Sequence, residues 1–98
     1  MVIPPKKVTI GGVSLRIVIV PNMVDWGQYH ADDKQISISS RALSKHQLFR
    51  ETLRHEMLHA ALEIGGISYL KKYSEEPIVR CIDNIFYPAW DKIRDQLY

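Results

Sequence analysis

Residues 44–66 read SKHQLFRETLRHEMLHAALEIGG, and this stretch decides the organisation of the chain. Ser44 and Gln47 form a capping-box pattern, and Gly65-Gly66 supplies a C-cap. Between them the apolar side chains recur at helical spacing, at Phe49, Leu53, Met57, Ala60 and Ile64. The sequence therefore predicts one helix from about Ser44 to Ile64, with further apolar residues that bury it between a sheet and a second helix.

The middle of this helix carries His55-Glu56-Met57-Leu58-His59, an H-E-x-x-H pattern. Residues four apart lie just over one helical turn from each other, so both imidazoles project from one face and can converge on one ion. Glu56 lies about 100° round the helix, where it can reach a metal-bound water without acting as a ligand. The pattern predicts His55 and His59 as metal ligands and Glu56 as a general base.

The first 40 residues are typical of β-structure. The alternating and apolar stretches predict strands at residues 7–10, 13–20, 26–30 and 35–39. Gly11-Gly12 and Pro21-Asn22 are turn signals, and residues 31–34 form a polar hairpin connection. Ile36 and Ile38 alternate with polar neighbours, which indicates a half-buried strand at the edge of the sheet. We expect a three- or four-stranded, mostly antiparallel sheet.

A second helix is predicted over residues 74–97. Ser74 is a plausible N-cap, two glutamates follow it at the positive end of the helix dipole, and Pro88 should bend or interrupt the helix. Its apolar face is predicted from Val79, Ile82, Phe86 and Ile93. Residues 1–98 are thus expected to form one α+β domain: a sheet over residues 1–40, an H-E-x-x-H helix over residues 44–65, and a backing helix.

A catalytic zinc site needs three protein ligands and one water, so a third ligand has to be found. His59 is the last histidine in the chain, His46 lies over two turns from His55, and His30 is in the strand region. Glu75 and Glu76 open the second helix and are the best candidates. By helical phase Glu75 belongs to the centre of the apolar face and Glu76 to its border, which favours Glu76 by a small margin.

Composition excludes several classes of protein. With 98 residues and 46% hydrophobic residues, the chain fits one small domain. The net charge of +2 and the scattered basic residues do not indicate nucleic acid or membrane as the defining partner. The single cysteine, Cys81, excludes an internal disulfide. The N-terminus is not typical of a secretory signal, and we therefore expect a cytoplasmic protein.

The motif and the residues that follow it resemble a known group of enzymes. Residues 51–60, ETLRHEMLHA, and residues 75–80, EEPIVR, are similar to the small H-E-x-x-H zinc metallopeptidases of phages and prophages. These are minimal gluzincins related to the ImmA/IrrE-type peptidases. Residues 7–12 and 27–38 also resemble the sheet of that group. There is partial similarity to SprT-like peptidases, but their later His-Gly motif is missing.

The resemblance implies a zincin-like fold and a peptide or protein substrate. The glutamate of the family motif falls on Glu76, three residues before Val79, so the implied ligands of Zn2+ are His55, His59 and Glu76. Ile82-Asp83-Asn84 departs from the small apolar residues usual in the group. The oxyanion could be stabilised by Tyr69, Tyr73 or Arg80, and the spacing does not select one of them.

Two other functions compete with the peptidase hypothesis. The shortness of the chain is compatible with a zinc-stabilised binding or regulatory module of phage origin that has little or no catalytic activity. A DNA-binding accessory role would use Lys71, Lys72, Arg50 and Arg54, but the weak charge balance disfavours it. The sequence indicates neither the substrate nor the oligomeric state.

Overall fold

The described residues of the chain fold as an α+β structure with a four-stranded sheet and two helices. A computed structural model describes residues 2–66, 75–88 and 91. The elements, in chain order, are β1 (Lys7–Ile10), β2 (Val13–Val20), β3 (Gly27–His30), β4 (Gln35–Ser39), α1 (His46–Ile64) and α2 (Glu75–Cys81). A 3-10 turn over Ser40–Ser44 precedes α1, and a π-helical turn over Ile82–Phe86 follows α2.

The sheet is mixed, with strand order β1-β2-β4-β3. β1 and β2 form a hairpin through Gly11 and Gly12, which both adopt positive φ angles that favour glycine. β3 and β4 form a second antiparallel hairpin, whose connection includes Lys34 at a positive φ of 49°. β4 then pairs in parallel with β2, with Ile17 opposite Ile36. The second hairpin is therefore added to the first through β4.

The predicted edge position of residues 35–39 is wrong. β4 lies between β2 and β3, and residues 36–39 are all buried. The alternation of Ile36 and Ile38 with Ser37 and Ser39 indicated one solvated face, but both faces of this strand are covered. The edges of the sheet among the described strands are β1 and β3, because β4 is hydrogen-bonded on both sides.

The core lies between the sheet and α1. Its buried members are Val2, Leu15, Ile17, Ile36, Ile38, Ala42, Phe49 and Ala60. The buried face of α1 also includes two polar residues, Thr52 and Glu56. Thr52 is satisfied within the helix, because its hydroxyl donates to the Leu48 carbonyl at 2.8 Å. Glu56 has no such hydrogen bond within the helix, although it is buried.

The start of α1 differs from the predicted capping box. The helix begins at His46, and its N-cap residue is Lys45, which makes no side-chain capping hydrogen bond. Ser44 is used instead by the preceding 3-10 turn, since its hydroxyl donates to the Arg41 carbonyl at 3.0 Å. The predicted end is confirmed: the Gly65 N–H donates to the Ala61 carbonyl at 2.9 Å, and Gly66 has a φ of 80°.

The predicted apolar face of the second helix is only partly buried. Val79 is fully buried, as expected, and Ile82 is half-buried, but Phe86 is 56% exposed. The helix is turned so that the carboxylates of Glu75 and Asp83, on the same side as Val79, contact the histidines of α1. Ser74, Ile93 and the rest of the predicted helix beyond Asp91 lie outside the described residues.

The helical path changes before Pro88, where a bend or interruption was expected. The Tyr87 N–H donates to the carbonyl of Ile82, five residues earlier, so the α-helical ladder widens into a π turn. Across the described ranges 2–66 and 75–88, no helix is both long enough and apolar enough to pass through a membrane.

Candidate metal centre

The two histidines of the H-E-x-x-H pattern lie side by side on the surface of α1 that faces α2. Their Nε2 atoms are 3.2 Å apart. Glu76, in the first turn of α2, places its Oε1 atom 2.8 Å from the Nε2 atom of His59. One ligand atom from each of these three residues lies within 4.8 Å of the other two. The structure therefore brings together the three residues that the sequence resemblance implies as zinc ligands.

The other ring nitrogen of each histidine contacts a carboxylate from the second helical segment, which consists of α2 and the π turn that follows it, from Glu75 to Phe86. The Nδ1 atom of His55 contacts Oδ2 of Asp83, and the Nδ1 atom of His59 contacts Oε1 of Glu75. A carboxylate accepts hydrogen bonds only, so each contact favours a proton on Nδ1. Metal-binding histidines are commonly oriented in this way, with one nitrogen held by a carboxylate and the other turned to the ion.

This arrangement places acceptor atoms against each other. With Nδ1 protonated, a neutral imidazole carries its lone pair on Nε2. The two Nε2 lone pairs of His55 and His59 then converge, and the carboxylate oxygen of Glu76 joins them. Three acceptors that converge without a donor repel one another, and a shared cation removes the repulsion. The chemistry of this donor set therefore fits a bound metal ion.

The separation of the two histidine nitrogens is compatible with a shared zinc ion, and the position of Glu76 needs a small adjustment. Nitrogen ligands at 2.0–2.1 Å from a tetrahedral zinc ion are about 3.3 Å apart, close to the separation of the two Nε2 atoms. The contact of 2.8 Å between Glu76 and His59 is shorter than this. Glu76 would thus move back by about half an ångström to bind the same ion. Its side chain is half exposed, which leaves room for that movement.

Glu56 lies beside the cluster but is buried, with 8% of its surface exposed. Burial in the interface between α1 and the sheet penalises the ionised form and raises the pKa of its carboxyl. Nearby His55 and His59 act in the opposite direction, and Glu76 and Asp25 add to the increase. A glutamate whose pKa is raised is better suited to accept a proton, and it can release that proton again.

The cluster opens into a cleft of about 1200 Å³. Residues 25–30, which include the whole of β3, form one wall, and α1 and the second helical segment form the others. Arg41 holds the loop that leads into β3: its Nη2 atom donates to the carbonyls of Met23 at 3.1 Å and Val24 at 2.9 Å. The guanidinium also lies 4.3 Å from the ring centroid of Trp26. These contacts fix the β3 wall relative to the sheet.

The remaining candidate residues lie outside the three-residue cluster or outside the described residues. Glu75, the alternative third ligand, contacts Nδ1 of His59 and therefore lies behind the ring, away from the convergence point. Arg80 is 69% exposed at its side chain and lies 3.9 Å from Glu76. His46 is exposed at the start of α1, whereas His30 lines the cleft outside the three-residue cluster. Tyr69, Tyr73, Lys71 and Lys72 lie outside the described residues.

Two residues that matter to the geometry were not identified as site residues from the sequence. Asp83 was noted only as a departure from the family pattern, yet it contacts His55. Its position, seven residues after Glu76, is two helical turns away and so on the same face, and this spacing could have indicated it. Arg54, considered for DNA binding, pairs with Asp91 at 3.5 Å and stacks on the Tyr87 ring at 4.0 Å.

Replacing Asp83 by asparagine should weaken zinc binding about 10- to 100-fold, because the variant loses the charge that orients and polarises His55. Competition with a fluorescent chelator measures the affinity. Asp91→Asn is the matched control: Asp91 lines the same cleft but pairs with Arg54, so its zinc affinity should be little changed. Equal affinities for the wild type and Asp83→Asn would contradict the assigned role.

The metal-free protein should become more stable on replacement of Glu56 by glutamine, in a pH-dependent way. The pKa of Glu56 is raised in the folded state, so the folded chain keeps this proton to higher pH than the unfolded chain does. The free energy of unfolding of the wild type therefore falls as the pH rises from the ordinary pKa of a glutamate to the raised pKa of Glu56. The glutamine variant has no proton to lose there, so its stability does not fall for this reason. Melting temperatures in chelator should coincide below about pH 4 and diverge above it. A difference that does not change with pH would contradict this.

In comparisons with family models, curated proteins and solved structures, no match to this chain is found. The function proposed below therefore rests on the geometry and chemistry of the cluster.

Proposed function

We propose that this protein is a zinc-dependent metallopeptidase of the small, zincin-like H-E-x-x-H type that its sequence resembles. One observation carries the proposal. The Nε2 atoms of His55 and His59 and a carboxylate oxygen of Glu76 converge in an open cleft, and the buried Glu56 follows His55 directly in the sequence. Three protein ligands that leave one position for water are typical of catalytic zinc, whereas structural zinc sites are closed by four protein ligands.

Each residue of the cluster has a role in peptide hydrolysis. His55, His59 and Glu76 hold the metal, and Asp83 and Glu75 fix the rings of the two histidines. The chemistry that a zinc ion would supply there is a bound water of lowered pKa and a polarised scissile carbonyl. Glu56 accepts the proton of the attacking water and passes it to the leaving amine. Its burial keeps the carboxylate near the cluster and away from bulk solvent.

The edge strand β3 is suited to bind an extended peptide. The Ser39 N–H donates to the Trp26 carbonyl at 2.8 Å, so the next pair, Gly27 opposite Ile38, is a non-hydrogen-bonded pair of the antiparallel ladder. The backbone N–H and C=O of Gly27 therefore point away from β4, toward the open side of the strand. A substrate strand can add there and lie across the cluster. β4, which was predicted as the edge strand, is paired on both sides and cannot take this role.

A direct test is to purify the protein without added zinc, determine its metal content, and incubate it with a library of unstructured peptides. We expect bound zinc, internal cleavage of peptides detected by mass spectrometry, loss of cleavage on chelation, and recovery on addition of zinc. Cleavage that survives complete removal of the metal would contradict the proposal.

The same experiment distinguishes the alternative of a zinc-stabilised binding module. In that case chelation would lower the melting temperature, as it does for a metallopeptidase whose zinc supports the fold, but no peptide would be cut at any zinc concentration. The enzyme is favoured by a cluster that holds three candidate ligands among the described residues, and by the cleft onto which this cluster opens.

A further inference from the structure

The point of closest approach between β3 and α1 is at Gly27. A Cβ atom built on this residue would lie 3.0 Å from Cγ of Glu56, 3.2 Å from Cγ2 of Thr52 and 3.3 Å from Cδ1 of Ile38. All three contacts are closer than ordinary van der Waals contacts. Gly27 does not have the positive φ angle that favours glycine at Gly11 and Gly12, so its lack of a side chain matters through space alone.

The three neighbours differ in how easily they can move. Ile38 is fully buried, and its β-branched side chain has few alternatives in a packed core. Thr52 is fixed by the hydrogen bond from its hydroxyl to the Leu48 carbonyl. Glu56 has an unbranched side chain with several rotatable bonds, its Cγ atom lies in the middle of that chain, and the residue lines the cleft. An added methyl group would therefore displace Glu56 before the other two.

We infer that Gly27 is a positioning residue for the proposed reaction. Because it lacks a side chain, Glu56 has room to lie between the edge strand and the metal cluster. This inference rests on the proposed function, because it assigns Gly27 an effect that is exerted through the general base. A second consequence is that β3 approaches α1 closely, so the backbone that receives the substrate and the group that takes the proton are held side by side.

The test is the variant Gly27→Ala, assayed with the zinc-loaded protein and a peptide identified as a substrate. Displacement of a catalytic group by less than 1 Å can cost up to about 100-fold, and we expect kcat to fall about 10- to 100-fold. KM and zinc content should stay close to their wild-type values, because neither the ligands nor the outer edge of β3 is altered. An unchanged kcat would overturn the inference.

Two further variants separate positioning from a general loss of stability. Thr52→Ser removes the Cγ2 atom and keeps the hydroxyl, so adding it to Gly27→Ala gives the new methyl group room and should restore part of kcat. In a Glu56→Gln background, Gly27→Ala should have little additional effect, because the residue through which it acts is already disabled. If Gly27→Ala lowered kcat by the same factor in the Glu56→Gln background as in the wild type, the inference would be overturned.

Gly65→Ala is the matched control. Gly65 lies just beyond the end of α1 and has an ordinary φ of −74°. The same methyl group added there would lie 3.1 Å from the carbonyl oxygen of Ala61, which is a comparably close contact. The kcat of this variant should equal that of the wild type even if its melting temperature changes. A kcat loss in Gly65→Ala equal to that of Gly27→Ala would show that the effect is not specific to the site, and would overturn the inference.

The inference and the proposed function can fail separately. If the wild-type protein binds zinc but cleaves no peptide, the proposed function fails alone. Crystal structures of the zinc-loaded wild type and of Gly27→Ala then decide the inference. A Glu56 carboxylate displaced relative to the metal supports it, and an unmoved carboxylate overturns it.

Discussion

Replacement of Glu56 by glutamine should abolish most peptide cleavage while leaving zinc in place. Glutamine has nearly the same shape as glutamate but cannot accept a proton from the attacking water, and general-base catalysis contributes about 10²- to 10⁴-fold. Glu56 does not belong to the three-residue cluster that could hold the ion, so its replacement leaves all three candidate ligands in place. We therefore expect kcat to fall by about that factor, with unchanged zinc content.

The measurement pairs cleavage of a fluorogenic peptide with metal analysis of the same sample. Glu63→Gln is the matched control, because it makes the same chemical change on the same helix, one helical turn beyond His59. Its activity should be that of the wild type. If Glu56→Gln cleaved peptides at the wild-type rate, the assignment of Glu56 as general base would be wrong, whatever the metal content.

Replacement of His59 by alanine should remove both the zinc and the stability that the zinc provides. His59 is the central member of the cluster, since it contacts Glu75, Glu76 and His55. A ligand at 1000 times its dissociation constant stabilises a folded protein by about 4 kcal/mol. In a domain of this size that corresponds to about 15 °C or more in melting temperature. We expect the wild type to show this shift between zinc and chelator, and His59→Ala to show none.

Thermal unfolding with zinc and with chelator, together with metal analysis, checks this expectation. His46→Ala is the matched control, because it removes a histidine from the same helix at an exposed position in the first turn. It should keep the zinc-dependent shift in full. A shift that persisted in His59→Ala would mean that zinc stabilises the protein at another place.

The strands were predictable because turn residues delimit them. Gly11-Gly12 and Pro21-Asn22 end apolar stretches, so three of the four strands have the predicted bounds, and the other begins one residue later, at Gly27. Their order was not predictable from local pattern. The parallel pairing of β4 with β2 joins segments nearly 20 residues apart and buries both faces of β4, and alternation within a strand cannot indicate this.

The candidate site shows the same division between local and long-range information. Two histidines at helical spacing bring their rings together wherever α1 packs, so the positions of His55 and His59 follow from the sequence. The roles of Glu75 and Glu76 depend on how α2 is rotated against α1. In the observed rotation, carboxylates of the second helical segment contact the histidine rings and Val79 is buried. This rotation places Glu76 at Nε2 of His59 and Glu75 at Nδ1 of the same ring. Whether zinc binds there is a question for the metal analysis.

The small apolar contact of α2 has a consequence for how the cleft is maintained. Within the second helical segment, from Glu75 to Phe86, Val79 is the only buried residue, and the segment also contacts α1 through the carboxylates of Glu75 and Asp83, which meet the rings of His59 and His55. A metal ion bound to His55, His59 and Glu76 would connect α1 to α2 and hold the two helices together. The wall of the cleft and the catalytic ion would then be gained or lost together, and zinc supply would control the assembly of the site as well as its chemistry.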